Sequence, residues 1–258
     1  MEAVLALAIA LLLGNSPTQN QVNSDNTSKE KEIYNPSATR LSDVIHTNLA
    51  VRFNWEKQHL LGHAELTISP YFYSTNELIL DAKGFDIHLI NMNGKELSFE
   101  YDSLQLFIQL DREYQRDEKY TINIDYTAKP NDLKTEGSDA ITDAKGLYFI
   151  NPLGDEDKPQ QIWTQGETEA SSCWFPTIDK PNERMTQNIA ITVKDEFVTL
   201  SNGLLVKTEK NEDGTRTDYW EQKLAHTPYL AMLGVGDFNI TFNLQKLTDL
   251  APVKRLRS

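Results

Sequence analysis

Cysteine, helical periodicity and positive charge are all scarce in this 258-residue chain, and each scarcity excludes something. A single cysteine, Cys173, cannot close an internal disulfide, and no Cys-x-x-Cys pair exists to build a thiolate zinc site. No long segment keeps apolar residues at helical spacing, so a helical bundle is not expected. The Gly-x-Ser-x-Gly elbow, the phosphate-binding glycine loop and the Gly-x-Gly-x-x-Gly fingerprint are all missing. Serine-hydrolase, nucleotide and dinucleotide readings thereby lose their usual support. Lys and Arg number 25 against 38 Asp and Glu, a net charge of −13. That charge repels nucleic-acid phosphates and anionic membrane surfaces, and no nucleic-acid partner is expected.

Long apolar runs are equally rare. The one present, Ala3 to Leu13, has the length of a signal-peptide core and is too short to span a bilayer. Residues 1–14 are therefore expected to be a signal-peptide-like segment, although Glu2 stands where a positive charge is usual. The protein is expected to be exported, to the periplasm or outside the cell, with no stable membrane span. From Asn15 to Glu32 there is almost no apolar side chain to offset ordering entropy, and residues 15–38 read as a disordered polar linker.

What is abundant is alternation. From Ile45 to Trp55 the odd positions read Ile, Thr, Leu, Val, Phe, Trp and the even ones His, Asn, Ala, Arg, Asn, the period of a strand with one buried face. The pattern returns at Leu60–Ile68, Leu78–Leu80, Phe85–Leu89, Leu97–Tyr101, Leu104–Leu110 and Tyr120–Tyr126. It returns again at Ile189–Val193, Val198–Val206, Thr215–Glu221 and Tyr229–Ile240. Asn93-Gly94 and Asn202-Gly203 supply hairpin signals, because both residue types tolerate the positive φ of a tight primed turn. The fold class is all-β, an antiparallel sandwich or curved sheet. A turn or two of helix is expected within Glu167–Ser172.

The candidates for chemistry are few. His59 and His63 have the i, i+4 spacing of a helical zinc motif, but Leu60 replaces its glutamate and the alternation places both on a strand, so no metal site is expected. Cys173, flanked by Ser172 and Trp174, reads as a small buried hydrophobe rather than a nucleophile. The acidic run Gly154–Lys158 lacks calcium-loop spacing and reads as a solvated loop. Sugar binding through aromatics has little support, because Trp55, Trp163, Trp174 and Trp220 sit in strand patterns typical of core. Gln165 and Glu167 flank Gly166; on an extended segment they share a face, and the glycine lets another backbone approach. An ionised glutamate there suits a ligand ammonium group, though two exposed strand residues would look the same.

Three blocks then carry a family resemblance. "QIWTQGETEASSCWFPTIDKPNERM", "ITV" leading to "LSNGLLV", and "HTPYLAMLGVGDF" occur in the order seen in the aminopeptidase N family of zinc metallopeptidases, peptidase family M1. The chain resembles the N-terminal β domain of that family from about Thr39 to Phe238. The resemblance implies a saddle-shaped, many-stranded domain spanning residues 39–240 that packs over a zinc-bearing catalytic domain. It implies that Gln165 lines the first specificity pocket and Glu167 helps hold the free α-amino group of a peptide. Trp174-Phe175-Pro176 and Asp179-Lys180-Pro181 are read as packing and turn elements.

The family's His-Glu-x-x-His helix, downstream glutamate ligand, Gly-Ala-Met-Glu-Asn loop and catalytic tyrosine have no counterpart in this sequence. No catalytic residue and no metal ligand is therefore assigned, and zinc is expected only in a full-length enzyme. Residues 241–258 form a basic tail that does not align with the family. The chain is expected to be the substrate-end-binding domain of an exported aminopeptidase, inactive without its missing catalytic domain. A stand-alone, non-catalytic β-sandwich binding or adaptor module is the competing reading.

Overall fold

A computed structural model describes residues 39–133 and 144–238. The signal-like segment, the polar linker, the basic tail and the last residues of the expected Tyr229–Ile240 strand lie outside the described residues. Before the interruption come β1 (Ser42–Asn54), β2 (His59–Pro70), β3 (Thr75–Asp81), β4 (Phe85–Met92), β5 (Lys95–Glu96), β6 (Phe99–Tyr101), β7 (Gln105–Tyr114) and β8 (Tyr120–Ala128). After it come β9 (Leu147–Ile150), β10 (Gln161–Thr164), β11 (Met185–Lys194), β12 (Val198–Ser201), β13 (Leu204–Lys210), β14 (Thr215–His226) and β15 (Leu233–Gly236). The only helical elements among the described residues are three single 3₁₀ turns. The all-β expectation holds.

The strands form three sheets. An eight-stranded sheet has the order β13-β14-β11-β1-β2-β8-β4-β5, a four-stranded sheet β12-β15-β10-β9, and a three-stranded sheet β3-β7-β6. Alternation fixes which face of each strand is buried. On β2 the even residues Leu60, Ala64, Leu66 and Ile68 are buried, and on β8 so are Tyr120, Ile122, Ile124, Tyr126 and Ala128. Against them lie Leu78 and Leu80 of β3 and Leu106, Ile108 and Leu110 of β7. Each buried leucine or isoleucine among them contributes about 1.5–3 kcal/mol on leaving water. On β1 the phase slips once, at a bulge between Val44 and His46, so that Val44 is buried and Ile45 is not.

Two sequence expectations need correction. The sheets are not wholly antiparallel, because β1 and β11 pair in parallel at the centre of the large sheet, with Ala50 opposite Ala190. The Val198–Val206 stretch is not one strand, and Asn202-Gly203 does not close a hairpin. β12 pairs with β15, whereas β13 pairs with β14 in another sheet. The Asn202 side chain explains the break: it donates to the Leu230 carbonyl at 3.0 Å and accepts from the Met232 amide at 2.7 Å, tying the turn to the approach to β15. Gly203, at φ +85°, then carries the chain past the Glu221 backbone, where a β-carbon would stand 2.6 Å from the carbonyl carbon. Asn93-Gly94 behaves as expected, with both residues at positive φ between β4 and β5.

Candidate functional site

The segment with the Gln-Gly-Glu triplet begins where β10 ends. Thr164 closes the strand by accepting the Leu233 amide at 3.0 Å, and the Gln165 amide donates to the Gly146 carbonyl at 3.0 Å. The chain then turns: the Gly166 carbonyl accepts the Ala170 amide at 2.9 Å, and a 3₁₀ turn follows at Ser171–Cys173. The pair therefore sits on the shoulder of a turn, not on the extended segment that the sequence suggested. Gly166 is as close to a second backbone as expected, since a β-carbon there would lie 2.8 Å from the Tyr229 Cα.

Buried bonds fix this turn from three sides. Ser171 Oγ donates to the Pro228 carbonyl at 2.8 Å. Asp179 accepts both the Ser172 amide and its hydroxyl at 2.8 Å. Burial raises the Asp179 carboxyl above its ordinary pKa, and the two Ser172 bonds oppose that shift. Lys83 donates to the Glu169 carbonyl at 2.5 Å, while Lys180 pairs with the Glu169 carboxylate at 2.6 Å. Trp174 and Phe175 are fully buried beneath, ring centroids 4.4 Å apart, in keeping with a packing role. Cys173 is buried too, and burial pushes its thiol up to about 12, which makes it an unreactive hydrophobe.

Of the two neighbouring glutamates, then, one is occupied and one is not. Glu169 is held by Lys180, whereas Glu167 is exposed and makes no ion pair among the described residues. Its amide faces Gln165 Oε1 at 3.5 Å, so the two candidate residues are brought together. A solvent-facing carboxylate beside a half-buried amide side chain can accept hydrogen bonds from an ammonium group.

The outer face of the four-stranded sheet begins beside this pair. Register places Leu200, Gly234, Trp163 and Tyr148 in one row across β12, β15, β10 and β9. The alternation that buries Ile162 turns Trp163 outward, 40% exposed and stacked on Tyr148 at 4.6 Å, which corrects its assignment to the core. Leu200 is 51% exposed in the same row. Gly234 and Gly236 give the middle strand no side chain on this face, and the partly exposed Phe238 ring lies over Gly236 instead, where a β-carbon would stand 2.8 Å from it. Sequence reading missed this surface because β9 and β10 are too short to show a period. The glycine spacing in "LGVG" was the available signal.

The histidine pair does not form a metal site. His59 and His63 are four residues apart on extended β2, and His63 Nδ1 is engaged by Asp125 at 2.6 Å. No group of three or more His, Cys, Asp or Glu side chains placed to hold a metal occurs among the described residues, so they do not fit zinc. No helix among them is long and apolar enough to cross a membrane.

A family profile described as the Peptidase M1 N-terminal domain matches residues 31–230. The chain belongs to this family. Among solved structures, the M1 N-terminal domain seen here is similar to an M1 zinc metallopeptidase from Deinococcus radiodurans at TM-score 0.65 and 19% identity, over 76% of this chain and 42% of that one. It is also similar to native yeast LTA4 hydrolase at TM-score 0.60 and 18% identity, over 78% and 30% of the two chains. At these identities the likeness shows the fold. Among curated proteins, transcription initiation factor TFIID subunit 2 of Danio rerio is 25% identical over 249 residues, 83% of this chain and 20% of that protein. Its Gallus gallus counterpart is 24% identical over 219 residues, 72% and 19%. The chain thus spans about a fifth of these curated relatives and under half of the solved ones.

Proposed function

We propose that this M1 N-terminal domain holds the free amino end of a peptide through Glu167, with Gln165 beside it lining the first specificity pocket. The proposed setting is an exported zinc aminopeptidase that removes N-terminal residues. One observation carries the reading: among the described residues Glu167 is left without a cation next to Gln165, while its neighbour Glu169 is neutralised by Lys180. The exposed apolar face bearing Trp163, Leu200 and Phe238 supports it, because such a surface beside the pair suits burial against a catalytic domain. Zinc and the hydrolytic groups would belong to that domain, and the chain alone is inactive. Chelator-sensitive release of an N-terminal amino acid by the purified chain would contradict this.

The deciding experiment is Glu167→Ala in a full-length enzyme. One or two charge-assisted bonds are worth about 1.5–3 kcal/mol each, so kcat/KM toward free-amine peptides should fall roughly tenfold or more. Unchanged efficiency would remove the anchor role. A second reading, a non-catalytic binding or adaptor module, is favoured by the relatives that bear the name of a transcription initiation factor subunit. An intact zinc-helix motif in the protein to which this domain belongs supports the peptidase, and its absence there supports the module.

A further inference from the structure

The large sheet carries a second concavity on its solvent face. Register sets Tyr219, Ala190, Ala50 and His63 in one row across β14, β11, β1 and β2. The two central alanines form a low floor between the taller Tyr219 and His63, which stand three strand spacings, about 14 Å, apart. The next row along holds Asn188 and Asn48, opposite each other on β11 and β1. These residues, with Glu65, line a trough of about 410 Å³ whose surface is more apolar than polar. A second hollow of about 380 Å³ continues from it past Ala50 and His63.

The polar groups of the trough are already held in place. Asn48 donates to Glu65 at 3.1 Å, His63 pairs with Asp125 at 2.6 Å, and Asn188 donates to the His46 ring at 3.3 Å. Tyr219 donates to Glu209 at 2.7 Å, and Lys207 stands 5.2 Å from its ring centroid. Each amide retains an acceptor oxygen and a further N–H, and Glu65 retains its second oxygen. The result is a rigid set of planar polar side chains around an apolar floor and an aromatic wall.

Three ligand classes are disfavoured by what surrounds the trough. Anions are repelled by Glu65 and the net charge of −13. Cationic peptides find the nearby carboxylates partly neutralised, since Glu221 pairs with Lys223 at 3.1 Å and Glu209 with Lys207 at 2.5 Å. A peptide cannot join by strand addition, because the backbone of β1 is engaged by β11 on one side and β2 on the other. A sugar ring suits what remains: its C–H face matches an alanine floor or a tyrosine ring, and its hydroxyls match paired amides and carboxylates. We propose that this trough is a binding site for a neutral oligosaccharide, separate from the Gln165–Glu167 site.

The test uses the full chain and a panel of neutral trisaccharides: cellotriose, chitotriose, maltotriose, mannotriose and xylotriose. Binding is followed by amide chemical shifts and calorimetry. At least one sugar should bind with a dissociation constant of about 1 mM or tighter, shifting amides of β1 and β11. Ala50→Arg fills the floor from an exposed position, and a paired Asn48→Ala, Asn188→Ala variant removes the amides without adding bulk. Each should weaken binding at least about tenfold while the amide spectrum still reports a folded chain. No binding of any panel sugar, or binding that survives both variants, overturns the proposal. Binding of poly-lysine, instead of sugar, that Ala50→Arg abolishes would overturn it equally, in favour of a cationic partner.

Discussion

Gly166 lies against the backbone of Tyr229 so closely that a β-carbon at position 166 would stand 2.8 Å from the Tyr229 Cα and 2.6 Å from Ser171 Oγ. Backbone cannot yield as a flexible side chain can, and Ser171 is itself tied to the Pro228 carbonyl. Gly166→Ala should therefore cost about 1–3 kcal/mol, read as a lower denaturant midpoint at constant slope. A variant as stable as the parent would mean that the two segments are not in contact.

Glu183 is fully buried, accepting the Val44 amide at 2.8 Å and Arg40 at 3.0 Å. Burial raises its carboxyl from 4.5 to about 7, against the opposing pull of Arg40. The folded chain thus holds this proton more tightly than the unfolded one. Its stabilising contribution is complete below pH 4.5 and is lost as pH rises through 7. The stability of the parent minus that of Glu183→Gln should fall by on the order of 3 kcal/mol between pH 4.5 and 7.5. Urea melts across that range read it directly, and a flat difference would show that the buried carboxyl is ionised throughout.

The Cys173 thiol, raised from 9.0 to about 12, should be about a thousandfold poorer in thiolate than a free cysteine at pH 8. An aromatic disulfide reagent should label it only after denaturant is added. Rapid labelling of the native chain would show that the turn opens readily.

The exposed apolar face around Trp163 and Leu200 should make the isolated chain bind an apolar dye and self-associate. Leu200→Lys, at a half-exposed position, should reduce both while shifting stability by no more than about 0.5 kcal/mol. Sedimentation and dye fluorescence check this, and a parent chain that is monodisperse and dye-silent would mean that the face is not sticky.

Legibility followed strand length and sequence distance. β2 and β8 alternate for long enough to declare a strand and its buried face, and both were readable. β9 and β10 have four residues each, with Phe149 inward and Tyr148 outward, so no period emerges. The break at Asn202-Gly203 depends on bonds to residues about thirty positions away, which local turn chemistry cannot reveal. Gln165 and Glu167 were readable as a motif. That Lys180 pairs with Glu169 and not with Glu167 is a matter of geometry. Arg40 and Glu183, 143 positions apart, gave no sequence signal at all.

The parallel seam between β1 and β11 also constrains how the chain can be made. β1 ends at residue 54 and its neighbour begins at 185, so the ribosome must add 131 residues before that flank of the strand is covered. At about 5–20 residues per second, a nascent β1 carries an open hydrogen-bonding edge for on the order of ten seconds. The middle of the finished sheet is thus a temporary border during synthesis, and a chaperone or a neighbouring nascent chain would meet the protein there first.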